Sequence, residues 1–303
     1  LLKFKAQTKT CATLSLQNSG HSKNTRTSTT SWKGISEARL DASTLSATVS
    51  TRSRIAMAVA EMGVEIRWRS EQGHRTDDNR DCCGVGLRDD AVLAVVLDGS
   101  SNGKASGAFA RDVARNLIDW FVVAEVVTPK TIIDRLRVIH AELSRTYRRD
   151  SASVVIALIE RQGATCILHA GDCVAGLVQE TSDIEWSLQP HTLANAISPV
   201  AIDELARSPS RNLLTRSFRT KRFMVPQETV QTFGAGQRLV LTTDGFWASL
   251  DPEQKTAFLR GGAFQPSEDR DDCSVLTLTV VEDQPDEVIE AAGDNSYVVD
   301  AKH

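Results

Sequence analysis

Ala91-Val-Leu-Ala-Val-Val-Leu97 runs straight into Asp98-Gly99, and Arg238-Leu-Val-Leu-Thr-Thr243 runs in the same way into Asp244-Gly245. Each is a short apolar, largely β-branched run, the pattern of a buried strand. Each ends in a carboxylate held on rigid scaffold, followed by a glycine that lets the backbone turn at once. One such end reads as an ordinary turn. Two of them, with further aspartates nearby, make a set of hard oxygen ligands suited to Mg²⁺ or Mn²⁺.

Short strands and helices follow one another outward from these two runs. Val64-Glu-Ile-Arg-Trp68 alternates as an opening strand does. Gly107 to Val123 predicts a helix with Phe109, Val113, Leu117, Trp120 and Phe121 on one face. Thr128 and Pro129 predict the N-cap and first position of a second helix, whose stripe is Ile132, Leu136, Ile139, Leu143 and Tyr147. Strands at Val154–Ile159, Cys166–Ala170 and Val174–Val178 come too close together for βαβ crossovers, so they form antiparallel meanders. Residues 180–232 are irregular apart from a short helix near Asp203–Arg207. Asp251-Pro252 predicts one more helix start, and Ser274–Val281 a final strand. Strand clusters alternating with helix pairs predict a layered α+β domain and not a doubly wound sheet.

The ends of the chain read differently. Residues 1–56 are rich in Ser and Thr, and 1–36 carry no acid at all. Such a segment buries too little to offset its ordering entropy, which predicts a disordered extension; its composition also fits a transit peptide. The chain opens on Leu1, and its first Met is Met57, consistent with a fragment or an upstream extension of the reading frame. The predicted domain is 57–283, followed by an acidic tail, 284–303. The six cysteines show no Cys-x-x-Cys spacing, which disfavours a zinc ribbon and favours a reducing compartment. A net charge of −4 over 303 residues gives no global reason to expect nucleic acid. No apolar run approaches the roughly 20 residues that span a bilayer. The expectation is a soluble cytoplasmic monomer with neither nucleic-acid nor membrane partner.

Four acidic motifs stand at the ends of apolar segments: Asn79-Arg80-Asp81, Asp98-Gly99, Asp244-Gly245 and Asp271-Asp272-Cys-Ser-Val275. With Gly73-His-Arg75, His169-Ala-Gly-Asp172, Leu214-Thr-Arg216 and Leu241-Thr-Thr-Asp-Gly-Phe-Trp247, their order over residues 64–281 resembles the metal-dependent protein phosphatase 2C (PPM) family, bacterial type. The resemblance implies a four-layer α-β-β-α sandwich of two antiparallel sheets flanked by helix pairs. It implies two Mn²⁺ or Mg²⁺ ions, with Asp98 bridging them, the Gly99 carbonyl on one, Asp244 and Asp271 at the second, and Asp81 acting on the metals or their waters. It implies hydrolysis of phosphoserine and phosphothreonine in proteins by a metal-bridging hydroxide, opposite a Ser/Thr kinase. Arg75 is the implied phosphate grip, since a guanidinium fork matches phosphate oxygens.

Three departures accompany the resemblance. The interval from Arg75 to Asp81 is one residue longer than usual, which leaves Arg80 as an alternative grip. Ser100 stands where many relatives carry a histidine proposed as general acid. Asp150, the candidate for a third metal, is about two residues out of register. Loss of the histidine keeps open a second reading, a catalytically weak pseudophosphatase acting as a binding or signalling module. A two-metal nuclease is the remaining reading, although no basic groove is evident in the core composition. Cys82 and Cys83, beside Asp81, suggest sensitivity to oxidation.

Overall fold

The computed structural model describes residues 62–161, 164–232, 234–262, 270–291 and 293–302. The chain divides between Ala56 and Met57; the expectations for residues 1–56 lie outside the described residues. Among the described residues no helix is long and apolar enough to cross a membrane.

The chain begins with β1 (Met62–Glu71), β2 (Asp81–Leu87) and β3 (Ala91–Gly99), then two helices, α1 (Ser106–Val123) and α2 (Pro129–Leu143). A meander follows: β4 (Ser151–Glu160), β5 (Thr165–Ala170), β6 (Val174–Val178) and β7 (Ile184–Trp186). An irregular stretch carries the single turn α3 (Ile202–Leu205) and β8 (Phe218–Arg219), and leads into β9 (Gln227–Gln231) and β10 (Arg238–Thr242). The chain ends through α4 (Asp244–Trp247), α5 (Pro252–Leu259), β11 (Cys273–Glu282), β12 (Glu287–Ala291) and β13 (Ser296–Asp300).

The strands form two sheets. One has the order β12-β1-β11-β10-β6-β7, the other β13-β2-β3-β4-β5-β9, with β8 beside the start of β4. Alternation along the strands divides the apolar residues between two faces. Val92, Ala94 and Val96 of β3 meet Ile66, Trp68, Leu241 and Leu276 of the first sheet in the core of the sandwich. Leu93, Val95 and Leu97 point the other way, against Phe109, Val113, Leu117 and Phe121 of α1. Full burial of each such side chain contributes about 2 kcal/mol. Gly86 lets α1 lie close, because a Cβ there would stand 2.5 Å from the Phe121 ring. The predicted cap of α2 is present: Thr128 and Thr131 bond reciprocally around its first turn, with Pro129 at the first position.

Three features of the expected architecture are corrected. The segment 284–303 is not a free tail, because β12 and β13 extend one sheet each and carry the domain past residue 283. Both new strands run parallel to their neighbours, Glu287 opposite Glu65 and Ser296 opposite Cys83. The sheets are therefore mixed and not purely antiparallel. The fourth layer is also thin: α5 has only eight residues, with Phe258 held under the Arg69 guanidinium at 4.1 Å.

Candidate active site

Strand register builds the site. Asp81 stands opposite Asp98 across β2 and β3, and Asp98 opposite Ser153 across β3 and β4. All three have the parity of Cys83, Val96 and Val155, which fill the space between the sheets. The carboxylates therefore point inward at one end of the sandwich. From the other sheet, β10 stops at Thr242, and Asp244 opens α4 directly behind it. Gly245 is required there, since a Cβ would lie 1.9 Å from the Asp272 carbonyl. Asp271 lies two residues before the start of β11.

Asp98, Asp244 and Asp271 line one cavity of about 770 Å³, together with Arg75, Asp150, Ser153 and Asp172. Asp81 and Gly99 are not on its wall. Asp81 is fully buried, and Gly99 sits in the ladder opposite Ala152, its Cα against the first turn of α1. Burial, and then the charges of Asp272 and Asp244, push the Asp81 carboxyl well above the usual range. Asp98 is raised well above it by burial and by Asp81 and Asp244. Asp244 is pushed up to about 7 by burial, then by Asp172 and Asp271, against the opposing pull of Arg211. The cluster thus lacks positive charge.

A divalent cation fits that deficit. The Thr243 hydroxyl donates to Asp81 Oδ2 at 2.8 Å, while Asp81 Oδ1 is buried with no hydrogen-bond partner among the described residues. Carboxylate oxygens from both sheets are the donors that Mg²⁺ and Mn²⁺ prefer. No group of three or more His, Cys, Asp or Glu side chains among the described residues is already drawn around one point. Asp244 and Asp271 instead hold arginines: Arg211 Nη1 lies 2.8 Å from Asp244 Oδ2, and Arg75 Nη1 lies 2.8 Å from Asp271 Oδ2. Each of these arginine contacts is made to the Oδ2 oxygen of the carboxylate.

The remaining candidates separate by their partners. Asp272 is saturated by backbone, accepting from Gly73 N at 2.8 Å and Arg80 N at 2.7 Å. Arg80 donates to the Ser100 and Gly103 carbonyls and so ties down the turn after β3, which removes it as an alternative phosphate grip. Asp150 accepts from Ala105 N at 2.9 Å, at the start of α1, while still facing the cavity. Asp172 shares a hydrogen bond with Ser153, and Gly171 before it has φ +122°, a conformation side-chain-bearing residues rarely adopt. His169 and His191 stack at 4.2 Å off the cavity wall. Cys82 and Cys83 are each 1% exposed, and burial raises both thiols, as in inert structural cysteines and not redox sensors.

Sequence reasoning missed Arg211 and Ser153. Arg211 lies in an irregular stretch with no periodic signal; Ser153 is marked only by its register opposite Asp98.

No protein-family model matches the chain, and no curated protein matches it. Solved structures do. Serine/threonine phosphatase Stp1 from Staphylococcus aureus is 18% identical with a TM-score of 0.58, over 71% of this chain and 94% of that one. The PPM Ser-Thr phosphatase MsPP from Mycobacterium smegmatis, in complex with cacodylate, is 18% identical with a TM-score of 0.57, over 71% and 97%. The catalytic domain of the serine threonine protein phosphatase PstP, in complex with two manganese ions, is 16% identical with a TM-score of 0.50, over 73% and 99%. The chain has the fold of the PPM serine/threonine phosphatases.

Proposed function

We propose that this protein is a divalent-metal-dependent phosphatase acting on phosphoserine and phosphothreonine in proteins, its substrates supplied by a Ser/Thr kinase. The observation that carries this reading is the convergence of Asp81, Asp98, Asp244 and Asp271, from both sheets, at one end of a sandwich whose fold is that of such phosphatases. In this reading Asp98, Asp81, the Gly99 carbonyl, Asp244 and Asp271 hold two Mn²⁺ or Mg²⁺ ions, and Asp150 is a third position. Two such ions supply an activated water and neutralise the phosphoryl charge.

The chain's own groups do the rest. Arg75 is on the cavity wall beside Asp271, within reach of phosphate oxygens once a phosphorylated side chain enters. Asp81, fully buried, and Asp98, half-buried on the cavity wall, both sit in strand ladders, so their carboxylates are placed before substrate arrives. Ser100 has no proton to give near pH 7, so the leaving seryl or threonyl oxygen takes its proton from cavity water.

The test offers the full chain p-nitrophenyl phosphate, a phosphothreonine peptide and single-stranded DNA, each with Mn²⁺ or EDTA. Mn²⁺-dependent release of phosphate from the first two supports the proposal. Peptide binding without turnover would instead mark a pseudophosphatase, and cleavage of DNA a nuclease.

A further inference from the structure

The segment from Leu205 to Gln227 contains six cations, Arg207, Arg211, Arg216, Arg219, Lys221 and Arg222, and no acid at all. In a chain of net charge −4 that is a sharp local excess. The fold brings part of it to the candidate active site. β8 pairs with the start of β4, Arg219 opposite Ser151 and Phe218 opposite Ala152. The turn is pinned further where Thr220 N donates to the Asp150 carbonyl and the Ser144 hydroxyl to the Thr220 carbonyl. Arg149, Arg219 and Lys221 consequently form one wall of the cavity that also exposes Asp98, Asp244 and Asp271.

These three cations are exposed, and none has an acidic partner among the described residues. Arg219 is held by neutral groups, its Nε donating to Ser217 Oγ at 2.6 Å and its Nη2 to the Leu214 carbonyl at 3.1 Å. Its guanidinium is thus oriented with its charge unspent. Arg219, Ser151, Ser153 and Asp98 share one face of the sheet through their register. Ladder spacings put the Arg219 backbone roughly 12 Å from that of Asp98. An extended peptide covers that distance in about three or four residues.

We propose that the wall of Arg149, Arg219 and Lys221 is a specificity surface. It selects phosphorylated segments that carry acidic side chains about three or four residues from the phosphoserine or phosphothreonine. The inference rests on the phosphatase reading and narrows its substrate class. The carboxylates beside the wall argue for a peptide over a polynucleotide, whose every phosphate near the cavity would meet Asp98, Asp244 or Asp271. A peptide brings one phosphate to the carboxylates and its remaining charges to the arginines.

The test compares two phosphothreonine peptides of equal length with the full chain and Mn²⁺, one with Glu and one with Lys three and four residues to either side. The acidic peptide should be preferred about tenfold in kcat/KM, as a few partly screened ion pairs allow, and the preference should shrink at high salt. In Arg219→Gln/Lys221→Gln, and separately in Arg149→Gln, the ratio should move towards one. Equal use of the two peptides by the parent, or a ratio unchanged in both variants, would overturn the proposal. So would tighter binding of a single-stranded oligonucleotide than of the unphosphorylated acidic peptide. Turnover of p-nitrophenyl phosphate without peptide preference sinks the specificity surface alone. Failure to hydrolyse any substrate with Mn²⁺ sinks the phosphatase reading and this inference with it.

Discussion

Asp81 and Asp98 face each other across the β2–β3 ladder, two carboxylates on one inward face; burial raises both well above the usual range, and the Asp81 charge raises Asp98 further. Without a cation such a pair destabilises the fold, and with one it becomes a ligand set. Asp98→Asn removes one charge and keeps the shape. In EDTA the variant should melt a few degrees higher than the parent, on the order of 1 kcal/mol of relieved repulsion. With Mn²⁺ its phosphate release should fall by more than about a hundredfold, beyond the usual loss for a group that merely orients a ligand. Calorimetry in EDTA and a phosphate assay in Mn²⁺ read the two effects on one preparation. A variant less stable in EDTA and fully active in Mn²⁺ contradicts both.

Asp271 and Asp272 are adjacent in sequence and divided in task. Asp272 accepts two backbone N–H bonds that join the loop before β2 to the start of β11, while Asp271 faces the cavity. Asp272→Asn should therefore lose about 1–3 kcal/mol of stability, because the amide cannot accept on both sides. Asp271→Asn should change stability by less than about 1 kcal/mol, as expected for a partly exposed ion pair with Arg75. It should nevertheless weaken Mn²⁺ binding in titration calorimetry. The reverse assignment of the two phenotypes would exchange the roles given to the pair.

What was legible in the sequence follows from where the information is local. The β3 and β10 runs, the α1 and α2 stripes and the Thr128-Pro129 cap each carry their signal within a few residues, and each forms as read except that α2 ends at Leu143 and leaves Tyr147 of its stripe beyond the helix. Asp98 and Asp244 were legible because two buried strands run into Asp-Gly with further aspartates nearby, where one such end alone reads as an ordinary turn. Arg211 and the Arg219 wall were not, because residues 187–217 are placed by distant partners such as Leu193 N on the Leu213 carbonyl and Thr215 N on the His191 carbonyl. The terminal strands were hidden for another reason. Glu287-Val-Ile-Glu290 is an edge strand with acids on it, which reads as a solvated tail until β1 is seen beside it.

That terminal segment also reaches the site. Asn295 Nδ2 donates to the Asp81 carbonyl at 3.1 Å and to Ser70 Oγ at 2.7 Å, and its Oδ1 accepts from the Trp68 indole at 3.2 Å. Asn295→Ala takes the acceptor from the buried Trp68 indole and a donor from the Asp81 carbonyl, while Ser70 keeps Ser274 and Asn79; the loss should cost about 2 kcal/mol. Asn295→Asp keeps the acceptor for Trp68 but sets a buried carboxylate against the Asp81 carbonyl, so it should be no more stable than Ala in urea denaturation. Mn²⁺ affinity should drop in both by up to about tenfold, since Asp81 loses a support. Unchanged affinity would confine Asn295 to holding the strand.

His169 and His191 give the fold an acid-sensitive point away from the carboxylates. The rings stack at 4.2 Å, and His169 is fully buried with Nδ1 unpartnered among the described residues. Burial, and then the neighbouring His191, pull His169 down to about 4, and burial lowers His191 too. Both rings are thus neutral in the folded state near pH 7. A histidine whose folded pKa lies below its unfolded value stabilises the fold above the unfolded pKa of about 6.5, and that contribution is lost as pH falls towards the folded value. For His169 the loss between about pH 6.5 and 4 amounts to up to about 3 kcal/mol. His169→Gln removes the titrating group while keeping a polar side chain. Urea denaturation at neutral and acid pH should show a smaller acid loss in the variant than in the parent. Equal losses would place the acid sensitivity elsewhere in the fold.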